Sequence, residues 1–164
     1  MSFNLVESAK GLFNNELVSG ASNFLGESET SISKAVTGVV PTILSGLINK
    51  TTTHEGIAAI TEQVNEQHDS GILNKLGGFL GNDGSLLNKG TGLLSNLFGN
   101  KLSGIVSLIS NFSGIKSSSA TSLLSMALPA VLGLIGKHAS STGTSVAAVL
   151  NSQKILLLQQ CHLA

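Results

Sequence analysis

Two stretches set a serine three residues before a lysine: Ser31-Ile32-Ser33-Lys34 and Ser113-Gly114-Ile115-Lys116. This is the S-x-x-K pattern in which penicillin-binding enzymes carry their serine nucleophile. Acyl transfer of that kind also needs S-D-N-like and K-T-G elements on a mixed α/β scaffold, and Lys50-Thr51-Thr52 is not K-T-G. In a Ser-rich chain the pattern is better explained by serines at helix starts and exposed lysines. A second constellation is Glu55, Glu62, Glu66 and Asp69, spaced i, i+7, i+11 and i+14 along one helical face. Carboxylates on one face can hold a hard cation. Opposite Ile57, Ala58, Ile60 and Val64, however, they are better read as the solvated side of an amphipathic helix. His54 and His68 stand at opposite ends of that helix, too far apart to share a ligand. His138 is expected near a helix C-terminus, against exposed carbonyls.

No H-E-x-x-H, C-x-x-C, P-loop or G-x-S-x-G occurs. The chain is therefore not expected to be an enzyme, and no catalytic, cofactor-binding or metal-binding residue is assigned. Cys161 is the single cysteine and has no internal disulfide partner. All nine basic residues are lysines. Without Arg, the forks that grip phosphates and guanine edges are missing, which argues against nucleic-acid binding.

The elements that carry these residues are helical. Residues 29–50 and 117–138 each bear apolar residues at alternating spacings of three and one, the signature of a helix. The first stripe is Ile32, Ala35, Val36, Val39, Val40, Ile43, Leu44, Leu47 and Ile48. At an offset of 88 its counterparts are Ala120, Leu123, Leu124, Ala127, Leu128, Val131, Leu132, Ile135 and Gly136. The same offset carries SNFLG (22–26) onto SNFSG (110–114) and Pro41 onto Pro129, while LFNNEL (12–17) returns as LFGNKL (97–102).

The spacing predicts an all-α helical bundle of about seven to nine helices, made of two pseudo-repeated halves. Each half is expected to hold a buried central helix kinked at its proline. The halves are residues 1–70 and 97–153, joined by a Gly/Leu/Asn-rich connector over 71–96. That connector is expected to hold one or two short helices, with Asn82-Asp83-Gly84 as a turn. Helices are predicted near 3–13, 14–25, 29–50, 54–69, 101–112, 117–138 and 143–152, and no strands. Residues 117–136 are long and apolar enough to span a bilayer. The related helix carries Lys34 and follows Glu27 and Glu29, so a pair of core helices accounts better for both.

Charge is scarce and segregated. Only 11% of residues are charged. Residues 1–83 hold nine acids and four lysines, net −5; residues 84–164 hold five lysines and no acid, net +5. Such a split favours attraction between the halves or head to tail between chains. A sparsely charged surface does little to keep chains apart. The Glu7 and Lys10 of MSFNLVESAK interrupt the apolar run that a cleaved signal peptide needs, which predicts a cytoplasmic location.

SNFSGIKSSSATSLLSMALPAVLGLIGK, preceded by LLSNLFGNKLSGIVSLI, resembles a bacterial all-α family of unknown function that includes YidB-like proteins, domain-of-unknown-function family nine-three-seven. LVESAKGLFNNEL and LGESETSISKAVTGVVPTILSGLINK look like the opening of the same family, so the resemblance covers roughly residues 3–153. It implies no catalytic residues. Similar proteins continue after LLxSQK with a small and polar segment, whereas this chain ends ILLLQQCHLA. A DNA string encoding Ile155–Leu163 reads NIAAATMPPG when shifted by the base that ends a Lys154 codon. Residues 154–164 are therefore expected to be an out-of-frame tail. Some relatives resembling the N-terminal half carry a membrane anchor and an OmpA-like domain, so the resemblance implies an intracellular or membrane-proximal module linked to the envelope.

The function expected from all this is that of a non-catalytic bacterial helical module for self-association or protein interaction. The partner is expected to be a second copy or another protein, with no nucleic acid and no cofactor. The alternative is a membrane-associated module that uses the apolar helix over residues 117–136.

Overall fold

A computed structural model describes residues 4–69, 71 and 85–163, with side chains described except at 85–87 and 156–163. The Asn82-Asp83-Gly84 turn and the Cys161 side chain lie outside these residues. The described residues are almost entirely helical and contain no strand. The helices are α1 (Leu5–Leu12), α2 (Asn15–Leu25), α3 (Glu29–Lys50), α4 (His54–Asp69), α5 (Ser85–Phe98), α6 (Leu102–Ser113), α7 (Ser117–Thr142) and α8 (Val146–Leu163). A 3-10 turn, Gly99–Lys101, joins α5 to α6.

Local chemistry sets many of the ends. Asn4 and Asn14 accept from the Glu7 and Leu17 N–H groups and start α1 and α2. Ser28 accepts from the Ser31 N–H at 3.1 Å to start α3, and Thr53 accepts from the Gly56 N–H at 3.0 Å in the first turn of α4. Each cap satisfies a donor that the first helical turn leaves orphaned. α2 and α6 end alike. Gly26 and Gly114 adopt the left-handed conformation, and their N–H groups return to the carbonyls of Ser22 and Ser110. The hydroxyls of those same serines donate to the carbonyls of Glu27 and Ile115.

Hydrophobic burial then assembles the bundle around α7, against which α1, α3, α4, α5, α6 and α8 all pack. In the first stripe Ile32, Ala35, Val36, Val39, Val40, Ile43, Leu44 and Leu47 are buried and Ile48 is partly buried. All nine counterparts in α7 are buried. Gly136 stands where the first stripe has Ile48 because α4 crosses there: a Cβ on Gly136 would lie 2.7 Å from the His68 Cβ.

Proline has a visible consequence in α7. Pro129 has no N–H to offer the Ser125 carbonyl four residues earlier, so that oxygen loses its helical donor. α5 closes over it. A Cβ on Gly90 would sit 2.0 Å from the Ser125 oxygen, so only glycine lets the two backbones approach this closely. Beside it the hydroxyls of Thr91 and Ser125 pair at 2.9 Å.

The structure departs from the sequence expectation at three places. α5 is one fourteen-residue helix that runs past residue 96, where the connector was expected to end, and one of its two glycines, Gly90, packs closely on α7. α7 continues to Thr142, one turn beyond 138. It ends at Gly143 in the left-handed conformation, with the Gly143 and Thr144 N–H groups both returning to the Ala139 carbonyl. α8 begins at Val146 and remains helical through Leu163, well past residue 152, where the helix was expected to end.

Gly90→Ala is expected to destabilise the fold by about 1–3 kcal/mol through overpacking. Gly92→Ala, two residues along the same helix at an exposed position with no atom near its Cβ, is expected to be neutral or stabilising. Urea unfolding followed by circular dichroism measures both.

Candidate functional site

The sequence-level candidates for chemistry are dispersed. Ser31 is bonded to its own helix cap, with its hydroxyl oxygen 2.9 Å from Ser28 Oγ. The Ser113 hydroxyl donates to the Ile109 carbonyl at 2.7 Å inside the last turn of α6. Lys34 turns away from Ser31, its Nζ 5.4 Å from the centre of the Phe112 ring. Lys116 lies at the exposed start of α7. Neither S-x-x-K pair forms a nucleophile and its base.

Glu55, Glu62, Glu66 and Asp69 are all exposed on α4, and Glu66 meets Lys89 of α5 at 3.9 Å. No group of three or more His, Cys, Asp or Glu able to hold a metal ion occurs among the described residues. His54 and His68 sit at the two ends of α4, about 21 Å apart by helical rise. His138 is a turn short of the α7 C-terminus, and its carbonyl accepts from the hydroxyls of Ser141 and Thr142.

Two polar side chains that the sequence did not single out tie distant elements together. The buried Gln153 of α8 accepts the Leu5 N–H at 2.8 Å through Oε1, joining α8 to the start of α1. Glu27, between α2 and α3, accepts the Lys116 N–H at 2.8 Å through Oε2. This bond, a further one from the Ser119 hydroxyl and the nearby Lys116 charge hold the Glu27 carboxyl below the usual carboxylate range, against a smaller opposing effect of burial. Lys116 supplies no side-chain cap of its own, so a carboxylate from a remote loop sits at the positive end of α7.

The surface feature that stands out is the seam between α3 and α6. α6 carries no charge and bears apolar residues on more than one side. Val106 and Ile109 enter the core, Leu102 and Ile105 are half-buried, and Leu108 and Phe112 are left 63% and 47% exposed. Gly38 and Gly46 of α3 make room for Phe112 and Phe98. Further along the seam a cavity of about 550 Å³ opens between Gly46, Phe98 and Ile105, with Lys50 and Lys101 in its wall. Lys34 stands over Phe112. The ion pairs within 4 Å among the described residues are Lys10–Glu7 and Lys89–Glu66, so these three seam lysines have no carboxylate partner there. A second cavity, of about 440 Å³, lies between α3, α4, α5 and α7. Its floor is Leu47, Leu128 and Leu132, and its rim mixes Lys50 with Glu55 and Glu62.

A family model for bacterial proteins of unknown function, DUF937, matches residues 7–138. The chain belongs to this family. No curated protein and no solved structure matches it. The matched span runs from α1 into the last turns of α7, so the DUF937 match includes both sides of the α3–α6 seam and the Glu27–Lys116 contact. Leu108 and Phe112 escaped notice in the sequence because apolar residues recur all along 102–113. The complete absence of charge there was the available signal.

Because the folded state holds the Glu27 carboxyl below its unfolded value, its contribution is present above the unfolded value and is lost as pH falls through the folded one. The melting temperature is therefore expected to drop on acidification. Glu27→Gln is expected to melt lower than the parent at neutral pH and to lose less on acidification. Thermal melts from pH 7 to pH 3 test this.

Proposed function

We propose that this chain is a non-catalytic bacterial interaction module that associates with further copies of itself, built from two copies of one helical unit around a shared core. The observation that carries the self-association is the α3–α6 seam, where Leu108 and Phe112 face water among lysines that have no carboxylate partner in the described residues. An exposed apolar strip edged by charge of one sign suits a protein partner. The same chain carries the opposite charge on α4, and the net −5 and +5 of its two portions favour like chains as partners.

The two-unit reading is supported by the matching ends of α2 and α6 and by α3 and α7 beginning 88 residues apart. A proline lies inside each of the latter helices, and we infer a bend at both Pro41 and Pro129. The hydroxyls of Ser31 and Ser113 are engaged within their own helices, which argues against either serving as the nucleophile of an S-x-x-K pair.

α3 and α7 are both long and apolar enough to cross a membrane. In α7, however, 83% of the most apolar window is buried against other helices. A membrane role would require that core to open, and this disfavours the apolar helix of residues 117–136 as a lipid contact.

Sedimentation velocity across a hundredfold range of concentration tests the self-association. The mean mass is expected to rise above 16.7 kDa with concentration. It should fall back as salt is raised from about 0.05 to 0.5 M, because exposed charges are screened within about 10 Å at 0.1 M. A single monomeric species throughout would contradict the proposal.

A further inference from the structure

We infer that the occupant of the α3–α6 seam is the acidic face of α4 from a second copy of this chain. The inference rests on the self-association reading and names the two surfaces that meet.

The seam is cationic from end to end. Lys34 and Lys50 are sixteen residues apart on α3, about 24 Å along the helix. Lys101 lies across the groove from Lys50. Between these charges run Phe112, Leu108 and Ile105, an apolar line with no acidic residue anywhere on α6.

The matching surface is α4. Glu55 and Asp69 are fourteen residues apart, about 21 Å, and Glu62 falls between them on the same face. Ala59 lies exposed among these acids, and so does Ala58, expected from the sequence on the opposite face, so the face combines carboxylates with small apolar side chains. Small residues let a helix approach closely enough for Leu108 and Phe112 to be covered. Glu66 is already engaged by Lys89 of its own chain, whereas Glu55, Glu62 and Asp69 have no ion-pair partner within 4 Å among the described residues.

The two surfaces adjoin at Lys50, which lines the seam cavity and also the rim of the cavity that holds Glu55 and Glu62. Beyond it they diverge: α6 packs on α3 and α7, whereas α4 packs chiefly on α7 and α8. One chain therefore offers both a cationic seam and an acidic helix. Lengths and signs agree, and a charge-matched contact rejects like-charged partners while it attracts the right one. Because each copy carries both surfaces, association can propagate as a ring or filament.

The test is a charge swap in the full chain. Lys34→Glu with Lys101→Glu reverses the seam, and Glu55→Lys with Glu62→Lys reverses α4; all four residues are exposed, and circular dichroism checks that the fold is kept. Each double variant alone is expected to self-associate at least about tenfold more weakly than the parent. An equimolar mixture of the two is expected to recover association, because each reversed surface then finds its complement. Leu108→Ser, with charge untouched, is expected to weaken association as well.

Undiminished association in both double variants would overturn this inference and leave the self-association reading standing. Loss in the seam variant alone, without recovery on mixing, would mean that the seam meets some other surface. A parent chain that stays monomeric would remove the self-association reading and this inference together. Should that monomer float with vesicles rich in phosphatidylglycerol, and the seam variant fail to, a lipid surface is the occupant and the inference is overturned.

Discussion

A twenty-six-residue helix with no charge between Lys116 and Lys137 has to be kept from water, and the placement of the other helices follows from that constraint. Each large apolar side chain on α7 is worth about 1.5–3 kcal/mol when fully buried. Leu123, Leu124, Leu128, Val131, Leu132 and Ile135 are all buried. Coverage from several sides requires neighbours to come close, and α7 supplies small residues where they do. Gly136 admits α4, while α5 brings its own Gly90 to the Ser125 carbonyl that Pro129 leaves without a donor. Two polar contacts then lock remote ends of the chain onto this arrangement: Gln153 to the start of α1, and Glu27 to the start of α7.

Much of this architecture is legible in the sequence because burial imposes a period. The stripes on residues 29–50 and 117–138 name core residues correctly, and the boundaries of α3 and α4 follow from Ser28, Thr53 and the acids after them. What escapes is tertiary in origin. Gly90 and Gly92 look alike as helix-weakening glycines, yet one touches a carbonyl and the other faces open space. Glu27 reads as an acid before α3, and nothing local says that it sits at the start of a helix 89 positions away. α7 outruns its apolar stripe by a turn because Gly143, beyond the stripe, is what ends it.

The candidate site was legible only as an absence. Residues 102–113 carry no charge, but a helix with apolar residues on several sides gives no hint of which side the bundle leaves uncovered. Packing on α3 and α7 settles that, burying Val106 and Ile109 and leaving Leu108 and Phe112 outside. The acidic spacing on α4 was legible, and its geometry is that of an exposed face whose carboxylates do not converge. The polar groups of the interior are committed to structure: among the described residues no buried side-chain nitrogen or oxygen lacks a hydrogen-bond partner.

That every other feature follows from the enclosure of α7 is most directly tested by amide hydrogen exchange on the protein in plain aqueous buffer. The amides from Leu123 to Ile135 should be among the slowest in the chain, exchanging only through global unfolding. Rapid exchange across that segment in buffer, with protection appearing only when lipid or detergent is added, would contradict the enclosed core and place α7 in a membrane instead.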